Sequence, residues 1–527
     1  MEYYPIPCDR GGFVANPNID MIPPYMMIGN TKNLNLEDGG RQPRGGTSKV
    51  TGTSRGSSRG MGIIQYELTG GTDFIVSGSA AGSIYKNDTD TIHTGWTANK
   101  HICFKIFEEL LFACNGADRP RYWDGAAASM TQMTTLHADW GTVPNPTNYP
   151  SKFIVHGRGV SKRLWACGCP DTPFTVYASA NGNGNDFSTG GGGRAIDIET
   201  EDPYGIVDLA VYGDRIFAIG RHRVFPIDDS STAVADWGYE EPIWTAGGCK
   251  NLVVKTPNDV VMMTETGDIY SLQAAFQTGD YKYASLTNPL NVPINERPYI
   301  QKWIQENIDL TKLDNFHAID DPIHRCIYFF MTPNGYTTDK TALVYFYDRP
   351  PNEAWMIHNN FSYASGYDAS ASCVVETAIG TYQVYTIDYS GVIWKLQTTN
   401  LNDNNNPYYH GWERPYTGCG NVVRNKLFLG EKIVTQPAGT HNLNITPYVD
   451  NTQLSTTTIS LDGGGATLDN FILNTNALGG DQLIDDTALT GSVGKRSKSE
   501  IYNSNINEDF FVSQQIIEFE WCGESPP

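Results

Sequence analysis

Two groups of acidic side chains come closest, in type and spacing, to a hydrolytic site. One is Glu199, Glu201 and Asp202, and the other is Asp320 and Asp321. Glycoside cleavage needs two carboxyl groups on either side of the scissile bond, one as acid and one as nucleophile or base. Adjacent acids on a loop are more often solvated than arranged in this way. We therefore expect structural roles for these residues, with a glycan-binding or glycan-cleaving site as the alternative.

Motifs for other chemistries are incomplete. The sequence has no Walker loop and no H-E-x-x-H. Cys167 and Cys169 are one residue closer together than the cysteines of a zinc knuckle, and no second pair completes four ligands. The loop 181–186 offers a single carboxylate, which is little charge for Ca²⁺. The sequence predicts no catalytic residues, no cofactor and no metal.

A basic segment lies near the N-terminus of an otherwise acidic chain. The stretch from residue 41 to residue 59 is rich in Gly and Ser and contains no Asp or Glu, which is typical of an extended arm. Arginine binds carboxylates through two parallel hydrogen bonds, so this arm is a candidate contact with an acidic face of a neighbouring subunit or adaptor. A solvated loop is the alternative, and direct DNA contact is a third option. The candidate contact residues are Arg41, Arg44, Lys49, Arg55 and Arg59.

The elements that must position these residues are predicted by a recurring unit. The unit is a β-type run, a tight turn with Gly, Asn or Asp, and a second β-type run that ends in an aromatic residue. Examples are residues 73–85, 111–125, 258–272 and 382–396. Short strands at regular spacing, separated by turn residues, indicate an all-β fold and favour a β-propeller.

Tryptophan occurs twice in one triplet, as Asp139-Trp140-Gly141 and Asp236-Trp237-Gly238. Such side chains can stack on sugars. In a propeller, however, a Trp beside Gly usually fills a turn or a blade edge, and this is the role we predict.

Composition and charge agree with this fold class. The 527 residues exceed the size of one hydrophobic core, so more than one structural unit is expected. The net charge of −21 argues against a protein that neutralises nucleic acid over its whole surface. The sequence has no signal-peptide pattern at its start and no apolar run long enough to span a bilayer. We expect a protein made in a cytoplasm, without a membrane-spanning segment.

Changes in composition divide the chain into three parts. Residues 1–58 form the predicted arm, and residues 59–415 contain the repeats, which is enough for about six to eight blades. Residues 416–527 are rich in Thr, Asn and Leu and predict a separate β-rich unit, a small sandwich. Because both ends of the chain lie outside the repeats, a composite domain of the arm and this unit is a further hypothesis.

The order of several short motifs supplies a family resemblance. Residues 33–47 form a short strand that leads into Arg44-Gly45-Gly46-Thr47, and residues 115–125 contain a Tyr-Trp-Asp-Gly turn. Together with 163–187, 258–272, 323–356 and 501–519, this ordered set resembles the tail-hub and nozzle-type (tail tubular) proteins of short-tailed bacteriophages. In that family an R-P-G-T-like turn is common, and here Gly45 replaces the proline. The resemblance extends over roughly residues 30 to 520.

The resemblance implies a non-enzymatic virion structural protein. Tail hubs assemble as closed rings, usually hexamers, below the portal and its adaptor in the phage tail, after synthesis in the host cytoplasm. They form part of the channel through which genomic DNA passes without specific binding, and they support tail fibre, tailspike or needle proteins. An acidic channel wall repels phosphates, so the net charge fits this role.

Overall fold

The structure is a computed structural model that describes residues 1–36, 39–50, 57–68, 71–87, 90–141, 147–158, 161–200, 202–242, 247–279, 282–359, 368–436, 441–461, 482–484 and 491–523. Strands account for 47% of the chain and helices for 7%. The strands, numbered in chain order, are β1 (Glu2–Pro7), β2 (Ile28–Lys32), β3 (Leu34–Asn35), β4 (Gln42–Pro43), β5 (Gly46–Lys49), β6 (Gly60–Leu68), β7 (Thr72–Ser79), β8 (Ile84–Lys86), β9 (Asp90–His93), β10 (Cys103–Phe107), β11 (Leu110–Cys114), β12 (Arg121–Trp123), β13 (Thr131–Gln132), β14 (Lys152–His156), β15 (Arg163–Cys167), β16 (Thr175–Ala178), β17 (Arg194–Asp197), β18 (Ile206–Tyr212), β19 (Arg215–Gly220), β20 (Val224–Asp228), β21 (Gly238–Tyr239), β22 (Val253–Lys255), β23 (Val260–Met263), β24 (Ile269–Ser271), β25 (His317–Asp321), β26 (Cys326–Met331), β27 (Thr341–Phe346), β28 (Trp355–Asn359), β29 (Ala369–Ala378), β30 (Thr381–Asp388), β31 (Ile393–Thr398), β32 (His410–Glu413), β33 (Lys426–Thr435), β34 (Asn442–Val449), β35 (Thr452–Gln453), β36 (Thr457–Ser460), β37 (Gln482–Ile484), β38 (Ser492–Gly494), β39 (Ser497–Asn503) and β40 (Val512–Trp521).

Helices are short and lie between strands. Two are α-helices, α1 (Leu272–Thr278) and α2 (Ile300–Asn307). The 3₁₀ helices are Ile19–Met21, Thr189–Gly191, Val234–Asp236, Ile294–Glu296 and Leu310–Asn315. Among the described residues, no helix is long and apolar enough to cross a membrane.

The repeats fold into a β-propeller. Within the described ranges, seven antiparallel sheets follow one another along the chain, and we number them as blades one to seven. They are β6–β9, β10–β13, β14–β17, β18–β21, β22–β24, β25–β28 and β29–β31. The innermost strand of each blade packs against that of the next, and β29 packs against β6, so the ring is closed. The prediction of an all-β propeller is confirmed.

Blade cores form because both faces of a blade are covered by its neighbours. Blade six shows this best, since every residue of β26 and β27 is buried, and both strands are continuous apolar and aromatic runs. The turns between strands use residues that tolerate left-handed backbone. Gly267, for example, joins β23 to β24 with a φ of 81°.

Blade seven is completed by a strand from the other end of the sequence. β5 pairs antiparallel with β31, with Lys49 opposite Trp394 and Ser48 opposite Lys395. Residues 46–49 are therefore the outer strand of a blade, and the interpretation of this stretch as an extended arm is wrong. The strand pairing leaves these residues no freedom to extend away from the propeller.

β3 and β4 pair with each other as a separate two-stranded sheet, and the other strands outside the blades build a second unit from two sheets. One has the order β1-β40-β33-β37, with β38 also paired to β33, and the other has the order β2-β32-β39-β34-β35, with β36 paired to β34. Buried side chains of both sheets, including Trp412, Ile433, Ile445 and Val512, join one apolar cluster that continues into the propeller. We call this unit the sandwich.

The sandwich combines residues from both ends of the sequence. Strand β1 pairs along its whole length with β40, from Glu2 opposite Phe519 to Pro7 opposite Gln514. Strand β32 (His410–Glu413) belongs to the sandwich, because it pairs with β39. The predicted boundary between residues 415 and 416 therefore lies too late in the chain.

Candidate functional site

Arg44, one of the five predicted contact residues, is buried inside the fold. Its guanidinium donates to both carboxylate oxygens of Asp403, at 3.0 and 2.6 Å, and lies 4.1 Å above the Tyr408 ring. A third hydrogen bond, 3.1 Å long, reaches Oδ1 of Asn33. Asp403 also accepts a 3.1 Å bond from Thr47 of β5. The pair therefore fastens the closing strand of blade seven to the segment that leads into the sandwich.

The electrostatics of this pair follow from its burial. Burial alone lowers the pKa of Arg44, but the carboxylate of Asp403 more than offsets this, and the pKa lies above its ordinary value. Arg44 is 1% exposed and Asp403 is fully buried. The guanidinium is consequently a permanent internal cation that already has its carboxylate partner.

Arg41 is buried in the sandwich. Its Nη2 donates to the backbone carbonyl of Tyr25 at 2.6 Å, and the guanidinium lies 5.0 Å from the centre of the Trp412 ring. Its backbone forms a two-way bridge with Val512 at the start of β40. The prediction that Arg41 and Arg44 dock on a neighbouring subunit is therefore wrong for these two residues, because neither side chain reaches the surface.

The other predicted residues are not brought together with Arg41 and Arg44. Lys49 is exposed on β5, with its Nζ 5.2 Å from the centre of the Trp394 ring. Arg59 lies just before blade one and donates from Nη1 to Oδ1 of Asn315 at 2.6 Å. Arg55 lies outside the described residues.

The acidic residues Asp320 and Asp321 do not form a pair. They are consecutive on β25, and successive side chains of a strand point to opposite faces of the sheet. Asp321 is engaged in its turn, where it accepts from the His324 ring at 2.8 Å. Burial raises the pKa of Asp320 to about 7, although the Tyr347 hydroxyl offsets part of this shift. This acid has no second carboxylate on its face of the strand.

In the other acidic group, Glu199 and Asp202 lie in different environments. Glu199 is exposed, whereas Asp202 is 5% exposed and accepts hydrogen bonds from the backbone N–H groups of Tyr204 at 3.1 Å and His222 at 3.0 Å. Glu201 lies outside the described residues. Asp202 therefore has a structural role in shaping the turn before blade four.

Both tryptophans of the repeated triplet are buried. Trp140 packs against Tyr177 and Phe187, with ring centres 5.2 and 4.7 Å apart. Trp237 stacks on Trp165 at 5.6 Å with an interplanar angle of 14°. These rings fill blade edges, as predicted, and offer no open face for a sugar.

No protein-family model and no curated protein sequence matches this chain. Solved structures with a similar chain path include BBS1N in complex with ARL6DN, which is 12% identical with a TM-score of 0.42 and spans 71% of this chain and 99% of its own. YCF48 bound to D1 peptide is 8% identical with a TM-score of 0.37, over 70% of this chain and 98% of its own. The WD40 domain of Neurospora crassa Pan2 is 10% identical with a TM-score of 0.36, over 69% of this chain and 97% of its own.

A polar cavity of about 200 Å³ lies at one end of the propeller axis. Its lining residues belong to the first residues of the innermost strands or to the turns just before them, and these strands surround the axis. We call it the axial cavity. The side chains that line it and bear polar or ionisable groups include His101, Cys103, Lys152, Lys250, His317 and Ser372.

Lysine dominates the charge of the axial cavity. Lys152 at the start of blade three forms a 2.9 Å ion pair with Asp208 of blade four. Burial lowers the pKa of Lys152, but Asp208 more than offsets this and leaves the pKa raised. For Lys250, burial lowers the pKa, and the positive charge of Lys152 lowers it further. Lys250 is therefore a half-buried amine that faces a like charge.

The end of the axis is partly covered by the segment that precedes blade six. His101, just before blade two, donates from Nε2 to the carbonyl of Asp314 at 2.9 Å. Arg59 binds the next residue, Asn315, by the contact described above. These two bonds reach across the ring and hold the end of the 3₁₀ helix Leu310–Asn315 beside the axial cavity.

Two further groups of the axial cavity are titratable. His317 forms a 2.8 Å hydrogen bond with Ser372, and its Nδ1 has no partner among the described residues. Burial, reinforced by His101 and Arg59, lowers the pKa of His317 to about 3, so the ring is neutral. The pKa of Cys103 is lowered to about 6, mainly by a hydrogen bond from Cys114, with a smaller contribution from Lys152.

The axial cavity was not predicted from the sequence. Its residues are far apart in sequence and meet only because the ring closes. A usable signal was present, since Arg59, His101, Lys152, Lys250 and His317 occupy the same place in five repeats, at or just before the first strand of a blade. Among the described residues, no group of His, Cys, Asp and Glu side chains is arranged to hold a metal ion.

Proposed function

We propose that this chain is a non-enzymatic structural protein of a phage tail, a hub or nozzle subunit that assembles into a ring. The observation that supports this proposal best is that the N-terminal segment pairs with strands of both units of the fold. The N-terminal segment completes blade seven through β5 and the sandwich through β1. Such a chain holds its two units in one orientation, which a subunit of a closed ring requires.

The chemistry of the described surface agrees with this proposal. Of the suggested acidic residues that the structure describes, Asp321 and Asp202 serve turns, and the repeated tryptophans are buried. A net charge of −21 is suited to the wall of a channel through which DNA slides without binding. The partners in this proposal are other copies of the chain, the portal adaptor, and tail fibre, tailspike or needle proteins.

One end of the sandwich offers a contact between copies of the chain. Val422, Val423 and Val493 are 64%, 74% and 59% exposed, which is unusual for valine. The loop of Val422 and Val423 is held beside the end of β38, which contains Val493, by the buried Lys426, whose Nζ donates to the backbone carbonyls of Arg424 at 3.1 Å and Lys495 at 2.9 Å. We call this surface the valine end.

The charge around the valine end favours a second copy as its occupant. Arg424 and Lys495 flank the valines, whereas the chain as a whole has 58 acidic and 37 basic residues. A basic, apolar surface on an acidic protein is complementary to the rest of that protein's own surface. Contacts between one surface and a different surface of the next copy generate rings when the rotation closes. In this proposal the contact between copies is made by the valine end and not by the predicted arm.

The experiment is a measurement of mass and shape for the purified chain, alone and mixed with phage portal and adaptor proteins. Mass photometry and negative-stain images should show rings with a central channel, alone or on mixing. A Val422→Asp and Val423→Asp double variant should remain monomeric while keeping its fold. Ile379→Asp is the control, because Ile379 is fully exposed in the turn between β29 and β30, away from the sandwich.

A stable monomer under all mixtures that instead binds polysaccharide would contradict the proposal and support the glycan-binding alternative. Ring formation by the double variant at wild-type concentration would reject only the valine end as the contact and leave the ring in place.

A further inference from the structure

We propose that the axial cavity is a binding site for a small oxyanion with two or more negative charges, of which inorganic phosphate is the test case. The proposal concerns the inside of one propeller and is independent of ring assembly. It rests on the charge, the polar groups and the partial enclosure of the cavity.

Charge is the first part of the argument. Lys152 and Lys250 line the cavity, and Arg59 lies beside its covered end. Among the described residues, Asp208 pairs with Lys152, and Asp339 interacts with Arg59, although burial raises the pKa of Asp339 well above its ordinary value. Cys103, when ionised, adds one negative charge near Lys250. Lys250 itself forms no ion pair within the described residues, inside a protein whose net charge is −21. Like charges held together in a poorly solvated space are unfavourable unless an anion neutralises them.

Hydrogen-bonding capacity is the second part. Lys250 has no ion-pair or hydrogen-bond partner among the described residues, so its three N–H donors face the cavity or its water. The side chain of His317 also lines this space, where Nε2 is occupied by Ser372. Charged amines around a confined space are typical ligands of phosphate and sulfate oxygens.

Size and enclosure are the third part. A volume of about 200 Å³ is several times the roughly 30 Å³ that one water occupies in the liquid. Because Arg59 and His101 hold Asn315 and Asp314 at this end of the axis, a bulky group attached to the anion would meet the segment before blade six. We therefore expect free phosphate to bind more tightly than a nucleoside monophosphate, which presents the same group on a larger molecule.

The test uses the full chain in a phosphate-free chloride buffer at constant ionic strength. Inorganic phosphate is titrated by calorimetry, and thermal unfolding is followed in parallel. We expect saturable binding with a rise in Tm, no saturable effect of chloride, and competition by sulfate. Lys250→Met should weaken phosphate binding about tenfold, because one neighbouring positive charge is lost. Lys302→Met, in the exposed ion pair of α2 with Glu306, is the matched control and should bind like the wild type.

Asp208→Asn should change the affinity for phosphate in the opposite direction to Lys250→Met. Removing this carboxylate should tighten phosphate binding several-fold, and Cys103→Ser should do so if the thiolate is a second counter-charge. The ³¹P line width of phosphate with the wild-type chain keeps the proposal testable should a variant fail to fold. Absence of saturable binding, or equal affinity for Lys250→Met and Lys302→Met, would overturn the proposal. Tighter binding of the nucleoside monophosphate would overturn the assignment to a free anion.

Discussion

Replacing Arg44 with methionine should destabilise the propeller more than any change on its surface. The substitution removes both bonds to Asp403 and the bond to Asn33, and it leaves a fully buried carboxylate that still accepts from the Thr47 hydroxyl. Removing one partner of a buried ion pair costs about 3–5 kcal/mol. Since domains are stable by only about 5–15 kcal/mol, the variant should lose a large share of its stability.

The double-mutant cycle tests whether this loss comes from the pair itself. Asp403→Asn alone should also destabilise the chain, because it leaves the Arg44 cation buried. The double variant should recover about 2–3 kcal/mol relative to the sum of the single changes. Lys49→Met is the control, because it lies on the same strand but is exposed, and it should change stability by less than about 0.5 kcal/mol.

Urea unfolding followed by both tryptophan fluorescence and far-UV circular dichroism is the assay. Trp394 lies opposite Lys49 in blade seven and is one of the 11 tryptophans of the chain, so part of the emission comes from beside the closing strand. Coincident transitions would show that closure and global folding are one event. An Arg44→Met chain within about 1 kcal/mol of the wild type, or strictly additive single changes, would refute the assignment of Arg44 and Asp403 as the fastening of blade seven.

Two further predictions concern close packing and pH. Gly46→Ala should cost about 2–3 kcal/mol in the same urea assay, because its Cβ would lie 2.0 Å from the carbonyl oxygen of Asn402. Gly238→Ala, with no atom within 4 Å of its Cβ, should change stability by less than about 0.5 kcal/mol, and similar losses at both glycines would contradict the packing argument. His358, whose Nε2 donates to the carbonyl of Leu34 at 2.9 Å, has its pKa lowered to about 3 by burial. The unfolded histidine titrates near 6.5, so the stability that neutral, buried His358 contributes is complete above pH 6.5 and is lost as the pH falls toward 3. This loss of unfolding free energy reaches about 2 kcal/mol at pH 5. His358→Gln should reduce the stability lost between pH 7 and pH 5 by about this amount, and an unchanged pH profile would reject His358 as a source of that loss.

The blades were predictable because they rest on local signals. Residues 258–272 have two apolar runs around a Gly-containing turn, and they fold as β23 and β24. The same holds for residues 382–396, which fold as β30 and β31. A hairpin needs only neighbouring residues, so its pattern is visible in a short window.

The closing strand was not predictable in this way. Residues 46–49 are Gly-Thr-Ser-Lys, which lacks the alternation of a half-buried strand, and their partner β31 is remote in sequence. Arg41 and Arg44 were misassigned for a related reason. Arginine is rarely buried unless it is paired, and the partner Asp403 lies 359 residues away. The axial cavity needed ring closure as well, since its lysines belong to different blades.

The two pairings made by the N-terminal segment also determine when the protein can finish folding on the ribosome. Strand β5 waits for β31, and β1 waits for β40, near the other end of the sequence. At about 5–20 residues per second, the delay between synthesis of β5 and of β31 is roughly 20–70 s. During this time blades one to six can form in order, while β5 has no partner strand and its backbone N–H and C=O groups stay unpaired, a state that sheet edges normally avoid. Slow translation or a stalled nascent chain should therefore keep β5 unpaired for longer, and chaperone demand should fall only after β40 emerges.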